Sequence, residues 1–284
     1  MSGGADFSED RLQCHVQSIA ILGPGLPDWN AAQSILDGER HYERADFEIP
    51  AVTWLPATER RRVGKMVRLA LTVGNAAVQA AAIDARQLAT VFTSSSGDGD
   101  NCDAIFTTLA HTEKSERFIS PTRFHNSVHN APAGYWSIAN QCTLPSTSLC
   151  AYDASFAAGL VEACSQALWT GESILLISSD VMYPYPLSDI RPIGSNFAVA
   201  MVLNPVVTDA ALATLTLGYA AESETRMEMP ELDELRLSNP SARCLPLLQA
   251  IAQKALHSDH TAPKKVHLEY VEPLSLEVMV VDHA

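Results

Sequence analysis

The chain has 284 residues, with 19 Lys and Arg against 33 Asp and Glu, giving a formal net charge of −14. That length buries one large core or two modest ones without help from disulfides or a structural metal. Apolar residues at 47% and charged residues at 18% exclude a disordered or fibrous chain, and the acidity argues against nucleic acid, whose phosphates demand clustered cations.

Residues 1–15 read as a polar N-terminal extension. VQSIAILGPG (16–25) is β-rich and stops at Gly-Pro-Gly, which predicts a strand entering a turn. Asp28 then caps a helix with Trp29, Ala32, Ile35 and Leu36 on one face and Gly38 as its stop. After Pro50 and Pro56, Thr58 precedes one long helix, ERRRVGKMVRLALTVGNAAVQAAAI, basic at its start and rich in small residues at its end.

LATVFTSSSGDGD (88–100) reads as a buried strand running into a Gly/Asp/Ser loop. Helical patterns follow at NCDAIFTTLAH and AGYWSIANQC, then a strand STSLCAY (146–152), a helix SFAAGLVEACSQALWTG, and strands ESILLISSDV and NFAVAMVLNP. This alternation predicts an α/β layered sheet covered on both faces. Beyond Pro205 come a strand (ATLTLGYA), an acidic segment (ESETRMEMPELDE), a helix (CLPLLQAIAQKALH) and a β-rich run (KVHLEYVEPLSLEVMVV).

Several motifs do not carry through. SSSGDGD resembles a phosphate cradle, but no Lys-Ser/Thr follows and its glycines do not fit GxGxxG. His125 and His129 are four apart, yet Pro121 and Pro132 bracket them and no acidic or Cys ligand is near, so packing or a loop is favoured over a metal. His257, Asp259 and His260 read as a solvated loop. The six cysteines, Cys14, Cys102, Cys142, Cys150, Cys164 and Cys244, show no CxxC and suggest neither a zinc site nor a disulfide framework. No metal and no cofactor is expected. With no long apolar run and no signal-like start, neither a membrane span nor a secretory leader is expected, and the compartment reads as cytoplasmic.

The informative stretch is residues 120–205. Asn130, Gly134, Ser137 and Ile138 on a helix, a strand, then a small-residue helix ending at Gly171-Glu172, follow one another in an order that resembles the N-terminal half of β-ketoacyl synthases of the thiolase fold. The likeness extends to SIAILGPG, ILDGE and RRVGKMVRLAL, and so spans about residues 16–205. It implies a thiolase-like α/β/α architecture: an extension (1–15), a ketosynthase-like half (16–205) and a shortened C-terminal α/β segment (206–284).

In that family a Cys at a strand-to-helix turn attacks an acyl thioester, its thiolate favoured by the helix N-terminus. Counting back from Gly171 puts this position at Ala154, which has no nucleophile. Cys150, if it continues the strand, lies about 13 Å away at about 3.3 Å per residue, too far for attack, which needs about 3–3.5 Å. Cys150 and Cys142 therefore read as small buried residues. Ser155 is adjacent but has no evident base. The segment after Pro205 also holds none of the family's histidine motifs.

The resemblance thus implies a catalytically silent ketosynthase-like subunit, similar to chain-length factors and most like the short proteins of aryl-polyene-type clusters. It would pair with an active ketosynthase through 146–152, including Ser148 and Cys150. Thr122, Arg123, Phe124 and Asn130 would lie near the partner's acyl tunnel. Arg61, Arg62, Lys65 and Arg68, with Arg60, would offer a basic face to an acyl carrier protein. The alternatives are an active acyltransferase or hydrolase using Ser155 or a displaced Cys, and a homodimeric acyl-binding scaffold.

Overall fold

The computed structural model describes residues 11–111, 113–253 and 263–283. Strands β1 (Leu12–Leu22), β2 (Ala89–Thr93), β3 (Ser146–Leu149), β4 (Ile174–Asp180), β5 (Phe197–Asn204), β6 (Ala213–Ala220), β7 (Lys264–Glu269) and β8 (Ser275–Asp282) form one sheet. Its order is β3, β2, β4, β5, β1, β6, β8, β7. β2 runs parallel to β3 and β4, and every other pairing is antiparallel. The boundary near residue 205 falls in the connection from β5 to β6 and does not interrupt the sheet, because β6 pairs with β1.

The helices are α1 (Trp29–Leu36), α2 (Ala57–Arg60), α3 (Lys65–Ala81), α4 (Gly99–Leu109), α5 (Pro121–Asn126), α6 (Ala131–Asn140), α7 (Ser155–Thr170), α8 (Leu187–Ile190), α9 (Pro230–Ser238) and α10 (Leu245–Ala252). α3 and α6 cover one face of the sheet, and α1, α7 and α10 the other. β4 and β5 are buried along their whole length, as strands covered on both faces must be. No helix among the described residues is long and apolar enough to cross a membrane.

β1 serves both faces through a bulge. The register shifts between Val16 and Ser18, so Cys14 and Val16 face the α7 side while Ser18, Ala20 and Leu22 face α3. The bulged Gln17 is held by Ala81 O at 3.2 Å and by Asn204. α7 lies so close to β2 that a Cβ on Gly159 would sit 2.3 Å from Thr93 Cγ2.

Several expectations are corrected. β1 begins at Leu12, inside the expected extension, because β6 pairs with residues 12–16. The long helix breaks: Arg60 ends α2, Arg61 and Arg62 lie on the following turn, and α3, which carries Arg68, starts only at Lys65. The break is packed against α4, whose Asp98 Oδ2 would lie 2.8 Å from a Cβ on Gly64. α9 forms within the acidic segment, and the terminal β-rich run is a hairpin, β7 and β8. Cys14 and Cys164 form a disulfide between β1 and α7, with Cα atoms 5.9 Å apart, a pairing that spacing could not show because the residues are 150 apart in sequence. His257, Asp259 and His260 lie outside the described residues.

Candidate functional site

The carboxyl ends of the parallel strands β2, β3 and β4 converge, the usual location of a site in a parallel α/β sheet. Three connections meet there: Ser94–Asp98, Cys150–Ala154, and Val181–Ser195. β3 ends at Leu149, and one 3₁₀ turn, Tyr152–Ala154, leads into α7. Tyr152 sits at φ 55°, a left-handed conformation that costs a non-glycine residue about 1–2 kcal/mol.

Ala154 is the residue immediately before α7 and is 6% exposed. It presents a methyl group at the strand-to-helix turn. Ser155 is fully buried; its Oγ accepts from Ala151 N at 3.0 Å and lies 2.7 Å from Tyr152 O and 3.3 Å from Ser94 O. The single hydroxyl proton goes to the closer carbonyl, so Ser155 closes the turn, and all its partners are backbone atoms.

Cys150 differs from expectation. Because the strand stops at Leu149 and the chain turns, extended-strand spacing does not apply to residues 150–154. Cys150 is exposed rather than buried, and its thiol donates to Ser95 O at 2.7 Å. Cys142 is buried, 3.5 Å from Leu88 O.

Arg191, just beyond α8, covers the turn. Its guanidinium lies 3.6 Å over the Tyr152 ring, and its Nη2 donates to Asp153 Oδ1 at 2.5 Å. The C-terminal segment reaches the same place: β7 packs against the turn, and Arg243 pairs with Glu269 at 2.9 Å and Glu224 at 3.1 Å. Arg236, 1% exposed, pairs with Glu224 at 2.9 Å and Asp233 at 2.6 Å. Burial pushes the Glu269 carboxyl up, against the pull of Arg243.

A second feature escaped sequence reasoning. Asp180, buried at the end of β4, accepts from Ser95 N and Ser95 Oγ, both at 2.8 Å, and from Ser241 Oγ at 2.7 Å. Asn239 Nδ2 donates to Ser195 O at 2.7 Å and Asp180 O at 3.3 Å. Three segments are thereby joined at one carboxylate. Burial pushes its pKa up to about 6, opposed by the Ser241 and Ser95 hydrogen bonds and the Arg191 charge. The only signal in the sequence is an acid at the end of an apolar strand.

The Ser94–Asp98 loop is filled by its own acid: Asp98 caps α4 by accepting from Asn101 N at 3.1 Å and Asn101 Nδ2 at 2.7 Å. This leaves no phosphate cradle. His125 meets Tyr135 edge-on at 6.1 Å, and no three His, Cys, Asp or Glu side chains among the described residues are grouped to hold a metal.

The remaining residues are spread over α5, the start of α6, β3 and the segment from α2 into α3. Thr122, Arg123 and Phe124 are on α5, with Phe124 65% exposed, and Asn130 is the exposed residue before α6. α5 is held by Asn126, whose Nδ2 donates to Arg62 O at 2.7 Å and whose Oδ1 accepts from Tyr135 OH at 2.9 Å. Phe106 and Leu109 on α4, which packs against α5, are exposed as well, as are Phe118 before α5 and Val128 after it. Among the described residues β3 is an edge strand, paired on one side only, and the buried Ser148 hydroxyl on it has no partner. Of the basic group, Arg62 pairs with Glu59 at 3.3 Å, Lys65 with Asp100 at 3.0 Å, and Arg60 donates to Thr53 O. Arg61 and Arg68 make no ion pair among the described residues. Residues 57–140 contain nine Lys and Arg and seven Asp and Glu, so the excess negative charge lies outside this part of the chain.

Residues 30–267 match the family model described as β-ketoacyl synthase, N-terminal domain. No curated protein matches the sequence. Among solved structures, the chain is similar to the ketosynthase (ApeO) in complex with its chain length factor (ApeC) from Xenorhabdus doucetiae, at 20% identity and a TM-score of 0.69, covering 94% of this chain and 99% of that one. It is likewise similar to a type II polyketide synthase acyl-carrier protein in complex with its ketosynthase (AntDE:AntF), at 12% identity and a TM-score of 0.72, covering 96% and 100%. The ishigamide ketosynthase/chain length factor aligns at 10% identity and a TM-score of 0.70, also over 96% and 100%. At these identities the likeness establishes the fold.

Proposed function

Because the chain belongs to the β-ketoacyl synthase N-terminal domain family, we propose that it is a silent member: a chain-length-factor-like subunit that pairs with an active ketosynthase and shapes its acyl tunnel. The observation that carries this reading is Ala154, a methyl group at the strand-to-helix turn where the family's chemistry requires a thiolate. Neither neighbour substitutes, since Ser155 is committed to backbone atoms and Cys150 donates to Ser95 O.

Pairing is supported by two separate features, the free edge of β3 and the exposed apolar side chains of α4 and α5, each of which a solitary chain leaves open to association. In this reading Ser146–Tyr152, with Ser148 and Cys150, lies at the subunit interface. Thr122, Arg123, Phe124 and Asn130 face the partner's tunnel, and Phe124 sets product length by bulk. Arg61, Arg62, Lys65 and Arg68 attract an acidic acyl carrier protein, while the acidity elsewhere in the chain repels it and so confines docking to this face. The product class is polyketide or fatty-acid-like, of the aryl polyene type, made in the cytoplasm.

Co-expression with a ketosynthase encoded beside this chain tests the reading. The expected result is a one-to-one complex in which an acyl-thioester analogue labels only the ketosynthase. A well-behaved homodimer that ignores the ketosynthase, or a label on this chain, overturns it.

A further inference from the structure

We propose that Arg191 locks the Tyr152–Ala154 turn shut, so that an acyl thioester does not reach position 154 even when a thiol is restored there. This rests on the preceding assignment of residue 154 as the family's nucleophile position, and it adds that the silence of the site is steric as well as chemical.

The turn is exposed only at its first residue. Tyr152 is 59% exposed, whereas Ala154 and Ser155 are buried, and the Arg191 guanidinium is stacked over the Tyr152 ring. The same guanidinium reaches Asp153, with side-chain exposures of 15% for Arg191 and 24% for Asp153. Such partial withdrawal from water strengthens both the ion pair and the stacking relative to a surface pair. One side chain therefore clasps two of the three residues of the turn.

The connection carrying Arg191 is built to hold this position. It is tied at its base by Met182 N to Asn196 Oδ1 at 2.9 Å, by Gly194 N to Ser238 O at 2.8 Å, and by Asn239 Nδ2 to Ser195 O. Between those ties its exposed side chains, Tyr185 and Ile190, make no contribution to the core clusters. Tyr183 ties the first part of the connection to the neighbouring loop through Ser96 Oγ, and the clasp is the contact that ties its later part to the turn. It also balances charge, because Asp153, Glu269 and Asp180 lie close enough to repel one another or to feel Arg191.

The test uses Ala154→Cys in the full chain on its own, since the proposed pairing would cover Cys150. Cys150, exposed in the same chain, serves as the internal reference. Iodoacetamide and a short acyl-pantetheine thioester are the probes, read by peptide-resolved mass spectrometry. In the acyl transfer the introduced sulfur forms a bond to the carbonyl carbon as the pantetheine thiolate leaves, and the thiol proton passes through solvent to that thiolate.

With Arg191 present, modification at 154 is expected to be at least about tenfold slower than at Cys150. Adding Arg191→Ala raises the rate at 154 about tenfold and leaves Cys150 unchanged. Arg191→Gln, which keeps much of the side chain and removes the charge, gives the same direction of change if the alanine variant is too unstable. Rapid modification at 154 with Arg191 in place, or no acceleration in either double variant, overturns the proposal. These readouts are independent of co-purification, so failure of the lock and failure of pairing are told apart.

Discussion

The carboxylate of Asp180 makes a sharp prediction about pH. Its pKa of about 6 in the folded chain stands against an ordinary value of 3.8. A folded state that raises a carboxyl pKa in this way is stabilised relative to its charged form below about pH 4, and loses that stability as pH rises through about 6. The full loss is about 3 kcal/mol once both states are ionised. Asp180→Asn removes the ionisation and retains the geometry. The amide oxygen still accepts from Ser95 N and Oγ, the amide nitrogen donates to Ser241 Oγ, and the Ser241 proton turns to Ser178 Oγ, 2.9 Å away. Urea unfolding followed by tryptophan fluorescence, from about pH 4 to about pH 8 at constant ionic strength, isolates the effect as the difference between the two proteins. That difference should favour the variant increasingly between about pH 4 and 6, by up to about 3 kcal/mol, and level off above. Parallel profiles, or a difference that grows in favour of the wild type, would refute the reasoning.

Further outcomes follow from other contacts. Gly159→Ala places a methyl 2.3 Å from Thr93 Cγ2; overpacking of about 1–3 kcal/mol outweighs the helix-propensity gain of about 1 kcal/mol, so the thermal midpoint falls, and an unchanged midpoint contradicts the close approach of α7 to β2. Arg236→Ala leaves Asp233 without its side-chain partner while Glu224 keeps Arg243, and destabilises by about 1–3 kcal/mol in denaturant titration. Phe124→Ala in the reconstituted complex should lengthen products and Phe124→Trp shorten them, read by mass spectrometry; identical products remove the gating role. Arg61→Glu with Arg68→Glu should weaken carrier binding most at low salt, where surface charges are least screened, and an effect independent of salt would point away from electrostatic docking.

Much of the framework was legible because it is written locally. The alternation of apolar runs and small-residue helices marks β2, β4, β5 and α7, and Asp28 announces α1 through its bond to Ala31 N. Local signals failed where tertiary contacts decide. The break before α3 depends on α4 packing against Gly64, and α9, a largely polar sequence, folds because Leu232, Leu235 and Arg236 are covered by their neighbours. The turn itself was found by counting from Gly171. What surrounds it was not: Asp180 and Ser241 are 61 residues apart, and Arg191 and Asp153 are 38 apart, with no motif joining either pair. Cys150 was misplaced because extended-strand spacing was carried past the true end of β3.

The position of β1 between β5 and β6 has a consequence for how the protein is made. His15 finds Thr214 199 residues later, and the other neighbour of β1 is the similarly distant β5. A ribosome therefore releases the strand that will sit inside the sheet long before either of its companions exists. Closing so large a loop is slow, and unpaired strands with apolar faces are prone to aggregate meanwhile. Shielding of the nascent β1, by a chaperone or by early contact with α3 through Ser18 and Ala77, becomes the step on which yield depends. A fragment ending before β6 would strand β1 as a raw edge, which makes the last quarter of the chain a condition of solubility for its beginning.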